Sequence, residues 1–138
     1  MKEARLATFL ALSGFFLFWD RLFKWMALQN PQTTHLLNPY FGWQPHFNPG
    51  VAFGIPLPML LTIIFSIPTI ALILYFTFIK RQWPILLIAV GALSNLWDRL
   101  FYQHTVDYIL LLTGLINLSD VMIVGGLVFF IFSLRKSD

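Results

Sequence analysis

Four long apolar runs divide the chain, from about Leu6 to Leu28, Pro56 to Ile79, Pro84 to Phe101 and Leu115 to Leu134. Each is near the ~20 residues a helix needs to cross a bilayer, so the pattern predicts four transmembrane helices. Asp20, Arg21 and Lys24 interrupt the first run, and a cleaved signal peptide is its alternative reading, because Lys2 and Arg5 supply a basic start. The only small-residue site, Ala11-Leu12-Ser13, falls inside the apolar stretch instead of after it, which favours an uncleaved first helix. Lys80 to Pro84 reads as a short turn, with Pro84 suited to the first turn of the third helix. The segment from Gln29 to Ile55, rich in Asn, Pro, Gly and aromatic residues, reads as the one region with room for strands or a membrane-surface element. Its Tyr40, Phe41, Trp43 and Phe47 suit a headgroup interface.

Composition strengthens this picture. The chain is 58% hydrophobic and 11% charged, against roughly 45–50% and about 25% in soluble domains, which excludes a water-soluble globule and a disordered chain. The lack of cysteine removes disulfides, thiolate metal sites and cysteine nucleophiles. No linker or low-complexity segment breaks residues 1–138, which read as a single membrane domain.

Basic residues give the orientation. Lys2 and Arg5 precede the first helix, Lys80 and Arg81 join the second to the third, and Arg135 and Lys136 follow the fourth, while the intervening segments 29–55 and 102–114 contain no Lys or Arg. The positive-inside rule then puts both termini in the cytoplasm. These basic pairs are explained by topology and make no nucleic-acid patch.

The acidic residues carry the candidate chemistry. Glu3 and Asp138 are terminal, whereas Asp20, Asp98, Asp107 and Asp120 all fall toward the outer surface. Ionisable groups on membrane helices are costly and therefore functional candidates. Asp20 and Lys24, four apart, can pair on one helix face. Asp98 and Arg99 are adjacent and cannot face each other, so Arg99 is expected to reach lipid phosphates and Asp98 to join Asn95 one turn back. Asp107 and Asp120 have no cation in their own segments, which invites a pair sharing one proton, one member a general base on water and the other polarising a carbonyl. The rival reading is two separate interfacial acids. His35, His46 and His104 lack metal-ligand spacing and read as solvated or hydrogen-bonding side chains. Trp19 to Phe23 recurs as Trp97 to Phe101, from duplication or from a shared need for an Asp-Arg step at the interface. Asn48-Pro49-Gly50 signals a type II turn. Gly50 and Gly54 lie outside a membrane helix and make no dimer motif, whereas Gly125 and Gly126 suit close helix packing.

In order along the chain, five pieces resemble the motifs of the lipoprotein signal peptidases, the type II signal peptidases of bacteria. They are Asp20 to Lys24 (D-x-x-x-K), Asn48 to Gly54 (N-x-G-x-A-F-G), Gly91 to Arg99 (G-A-x-x-N-L-x-D-R), Val106-Asp107-Tyr108 (V-x-D-F) and Asn117 to Asp120 (N-L-A-D). The resemblance implies an all-α membrane protein of four transmembrane helices, with both termini cytoplasmic and a small extracytoplasmic element, open to strands, between the first two. It implies an aspartic endopeptidase of the bacterial inner membrane with its site at the outer face, cutting diacylglyceryl-modified prolipoproteins just before the lipidated cysteine. Asp107 and Asp120 match the catalytic dyad. Asn48, Gly50, Asn95, Asp98, Arg99 and Asn117 match polar positions that shape the cleft or support the dyad, and Asp20 and Lys24 match the first-helix motif. The implied partners are prolipoproteins and membrane lipids, with no nucleic acid, no metal and no cofactor, and an oligomeric state compatible with a monomer. Val90 and Ser94 stand where the pattern has glycines, Tyr108 where it has Phe, and Ser119 and Val121 where it has small residues. The span from Asp107 to Asp120 is also short. These departures leave a non-catalytic, lipoprotein-binding paralogue as one rival; a small proton-coupled transporter is the other.

Overall fold

The computed structural model describes residues 2–50 and 57–135. Residues 51–56, with most of the glycine-rich motif and the start expected for the second helix, and residues 136–138 lie outside the described residues. Four helices form where the apolar runs predict them: α1 (Lys2–Gln29), α2 (Met59–Phe78), α3 (Ile85–Tyr102) and α4 (Leu118–Arg135). All four are long and apolar enough to cross a membrane. Their outward faces are apolar as well, with Phe18, Phe65, Ile67, Leu72 and Phe132 all exposed, as a lipid solvent allows. In α2, Ser66 and Thr69 return their hydroxyls to the carbonyls one turn back at 2.7 Å each, so these polar groups are satisfied within the helix.

The central helix is α3, which packs against each of the other three. Its close approach to α4 depends on two glycines. A Cβ at Gly91 would lie 2.6 Å from the Ser119 carbonyl oxygen, and one at Gly126 would lie 2.7 Å from Ile88 Cγ1. Gly125, expected to share this role, has nothing within 4 Å, so helix packing uses only the second of the adjacent pair. Gly91→Ala should therefore cost about 1–3 kcal/mol by overpacking against backbone, and Gly125→Ala should be near neutral. Thermal unfolding of the two variants in one detergent checks this contrast.

Strands β1 (His35–Asn38), β2 (Phe41–Asn48), β3 (Thr105–Leu111) and β4 (Gly114–Ile116) make an antiparallel sheet in that order. Only β1 and β2 lie where strands were expected. The second half of the sheet comes from the segment between α3 and α4, where β4 takes residues 115–116 from the start assigned to the fourth apolar run. The physical reason is register: β3 pairs along β2, with Phe41 opposite Leu111 and Asn48 opposite Thr105, and this partner is invisible to local hydropathy. The short 107–120 span is thus a strand hairpin running directly into α4. Tyr40 and Phe41 are exposed on the sheet, as an interface role requires. Trp43 turns inward instead, its ring 5.3 Å from Tyr108 and 6.0 Å from Phe23. Around them, Ala27, Val106 and Tyr108 form the small apolar core that seats the sheet on α1.

Candidate active site

Where α4 begins, Asn117 and Asp120 cap each other. Asp120 N–H donates to Asn117 Oδ1 at 3.0 Å and Asn117 N–H donates to Asp120 Oδ2 at 3.2 Å. This is the reciprocal arrangement of a capping box, with Asp at the third helical position. The Asn117 side-chain amide is then free to turn to β3, where it donates to Asp107 Oδ1 at 2.7 Å and to the Val106 carbonyl at 3.3 Å. One asparagine thereby joins both acids. Asp107 Oδ2 accepts from Asn48 Nδ2 at 3.3 Å, and Asp120 Oδ1 accepts from Asn95 Nδ2 at 3.0 Å. All four carboxylate oxygens thus have a neutral donor. The Asn48 side-chain oxygen accepts Gly50 N–H at 2.9 Å, an Asx turn. The type II turn expected there extends to residue 51, outside the described residues.

Burial, then the negative charge of Asp120, pushes the Asp107 carboxyl up to about 7, against the pull of the Asn48 and Asn117 amides. A proton is therefore available on this side chain near neutral pH, as expected for two acids in one poorly solvated site.

Behind the two acids lies a buried ionic cluster. Lys24 Nζ lies 3.0 Å from Asp20, 2.8 Å from Asp98 and 2.9 Å from Asn95 Oδ1. These three acceptors match the three protons of an ammonium. Since Asn95 must present its oxygen to Lys24, its nitrogen is directed at Asp120, and the orientation of that amide is set by charge. Asp98 also accepts from Arg21 at 2.6 Å and from Val106 N–H at 3.3 Å. Asp98 and Asn95 join one polar cluster, as expected, with the Lys24 ammonium between them. Arg99 sits at the edge of the cluster. It is half-buried, its Nε is buried without a hydrogen-bond partner among the described residues, and Asp120, Asp98 and Asp107 all act on it electrostatically. Four carboxylates here face three cations, so one proton on the Asp107 and Asp120 pair neutralises the cluster.

The structure thus gathers Asp20, Lys24, Asn48, Asn95, Asp98, Asn117, Asp107 and Asp120, with Arg99 at the margin and Gly50 shaping the loop. Sequence reasoning missed Arg21, Ser94, Tyr108 and Ser119 as members. The repeated Trp-Asp-Arg-Leu-Phe pentamer was a signal for Arg21, because the arginine of the first copy pairs with the aspartate of the second. The three hydroxyl residues were visible only as departures from a motif. Among the histidines, His104 is half-buried with its ring 4.6 Å from that of Phe47; burial lowers its pKa below the usual histidine value, and its hydrogen bond to the Tyr102 backbone fits the hydrogen-bonding reading.

Comparison with known proteins agrees with this architecture. The model of the A8 peptidases, signal peptidase II, matches residues 12–136. The lipoprotein signal peptidase of Clostridium novyi (strain NT) is 31% identical over 134 residues, covering 85% of this chain and 90% of that protein. That of Aquifex aeolicus (strain VF5) is 34% identical over 142 residues, covering 91% and 83%. A solved bacterial membrane enzyme superposes with a TM-score of 0.79 at 25% identity, over 94% of this chain and 88% of that one. With a family match spanning nearly the whole chain and relatives that align over most of their own length, this protein belongs to the signal peptidase II family.

Proposed function

We propose that this protein is an intramembrane aspartic endopeptidase that removes the signal peptide from diacylglyceryl-modified prolipoproteins, cutting just before the lipidated cysteine. The observation that carries the reading is the joining of two buried acids, Asp107 and Asp120, by Asn117. The relatives named as lipoprotein signal peptidases supply the substrate class. Both termini face the cytoplasm, and the sheet end of the bundle lies at the outer surface of the bacterial inner membrane, where the substrate enters laterally from the bilayer.

In the proposed reaction Asp120, as carboxylate, takes a proton from water while the water oxygen bonds to the scissile carbonyl carbon. Asp107 gives its proton to the carbonyl oxygen. The tetrahedral intermediate then collapses: the carbon–nitrogen bond breaks, the proton held by Asp120 goes to the leaving amine, and the proton on the new hydroxyl returns to Asp107. No metal or cofactor takes part. Asp20, Asp98, Asp107 and Asp120 gather at one end of the bundle, which disfavours a proton relay, since a relay needs acids at several depths.

A gel-shift assay with purified protein and a diacylglyceryl-modified prolipoprotein tests the activity. Intact substrate, alongside processing by an active relative in the same mixture, would overturn the reading. A pH profile tests the proton assignment. Because the working form holds a proton on Asp107, kcat/KM should fall as pH rises through about 7. Stability should move in the same direction. The folded-state pKa of Asp107 is raised, so its contribution is fully present below the ordinary value of 3.8 and is lost as pH climbs through about 7. Activity that instead rises across this window would place the proton elsewhere.

A further inference from the structure

The first turn of α4 presents Asp120, and its leading amides are taken by three different parts of the fold. Helix N-termini leave such amides without partners inside the helix. Asn117 serves Asp120 N–H, as described. Asp20 Oδ1, reaching across from α1, accepts Ser119 N–H at 3.2 Å. The Tyr108 hydroxyl, from β3, accepts Leu118 N–H at 3.0 Å and donates to the same Asp20 oxygen at 2.9 Å. The other Asp20 oxygen accepts from Ser94 Oγ at 2.7 Å and Ser119 Oγ at 2.6 Å, as well as from Lys24. Three of the five departures from the motif pattern, Ser94, Tyr108 and Ser119, are therefore hydroxyls placed on one buried carboxylate. They come from α3, β3 and α4, and that carboxylate holds the turn carrying Asp120.

Strand geometry adds the second acid. Adjacent residues on a strand point to opposite faces, so Asp107 faces Asn48 and Asn117 while Tyr108 faces Asp20. Anchoring the Tyr108 hydroxyl thus fixes the backbone that presents Asp107, and the same hydroxyl holds the turn that presents Asp120. Burial and the charge of Asp20 raise the Tyr108 pKa above the usual phenol value, so the hydroxyl keeps the proton it donates.

We propose that Tyr108, Ser119 and Ser94 are positioning residues that act through Asp20 to hold the first turn of α4, and with it Asp120, in place against Asp107. This rests on the peptidase reading above.

Tyr108→Phe is the direct test. It removes only the hydroxyl and leaves the ring against Phe23 and Trp43, 5.7 and 5.3 Å away. The expected result is a fall in kcat of about tenfold with KM changed by less than about twofold, because misplaced acids slow the chemistry without weakening substrate binding. The alkaline limb of the pH profile should also move, since it reports the coupling of the two acids. Ser119→Ala should act in the same direction, about threefold, and serves if Tyr108→Phe does not fold. The double variant should lose less than the product of the single losses, because both hydroxyls work through one carboxylate. Ser66→Ala, whose hydroxyl bonds only within α2, is the control and should keep parental kcat.

Parental kcat in Tyr108→Phe, or losses that multiply independently, would overturn the proposal. So would a kcat loss that simply follows a fall in the folded fraction with an unmoved pH limb. If the parent cleaves and Tyr108→Phe cleaves as fast, only the positioning role fails; a parent that leaves the substrate whole defeats the peptidase reading as well.

Discussion

Asp107→Asn and Asp120→Asn should each fold and each leave a diacylglyceryl-modified prolipoprotein uncut, with turnover down by about 10³-fold or more. Each change keeps the size of the side chain and removes its titrating group. The hydrogen bonding shows why folding should survive. Both oxygens of each acid accept from neutral donors, so an asparagine loses one of its two bonds, at a cost of about 1 kcal/mol. In Asp120→Asn the new amide cannot recover its bond by rotating Asn95, because the Asn95 oxygen is committed to Lys24. The double variant should be no slower than either single one, since a dyad disabled at one member has little left to lose. The gel-shift assay measures turnover and thermal unfolding confirms the fold. Independent, multiplicative losses would mean that the two acids do not act as a unit.

Lys24→Met should have the largest effect on stability of any single change at the site, destabilising the protein by about 3–5 kcal/mol. Lys24 is fully buried between Asp20 and Asp98, which are themselves fully buried. Removing the ammonium leaves two carboxylates in a poorly solvated interior with Arg21, itself bonded to Asp98, as the remaining close cation. The loss is a large share of the 5–15 kcal/mol that holds a typical domain folded, so the melting temperature in detergent should drop by about 10 °C or more. Adding Asp20→Asn and Asp98→Asn to Lys24→Met should recover part of it, because neutral amides cost far less to bury than unpaired carboxylates. A Lys24→Met protein that melts within a degree or two of the parent would show that the cluster is not the keystone of this end of the bundle.

The same cluster shows how far the residues could be read without the fold. The pairing of Asp20 with Lys24 was legible because four residues bring two side chains together on any helix. The second partner of Lys24, Asp98, was not, because it depends on how α1 and α3 pack. The repeated pentamer hinted that the copies were related, and the structure shows them meeting, with Arg21 from one and Asp98 from the other. Asp107 and Asp120 stood out in the sequence as acids with no local cation. The physical reason they converge, an asparagine that caps one helix and reaches one strand, came only with the fold. The three carboxylates around Arg99 were not legible together, because Asp98 is adjacent to it and does not face it along the helix, while Asp107 and Asp120 come from distant segments.

What the chain determined by itself follows from properties of contiguous residues. Apolar runs near 20 residues must be helical in lipid, because no water is present to satisfy an open backbone. The positions of the acids and the order of the five motifs are likewise linear facts, and they were enough to indicate the family and the two candidate acids. The tertiary structure decided what depends on distance between segments: the β2 and β3 pairing that turns an apolar stretch into a strand, the inward turn of Trp43, and the use of Gly126 but not Gly125. It also decided that Ser119, 99 residues from Asp20 along the chain, belongs to the same site. Hydropathy is a sum over neighbours in sequence, whereas a buried carboxylate is satisfied by whichever donors the fold brings within about 3 Å, and no local pattern records that choice.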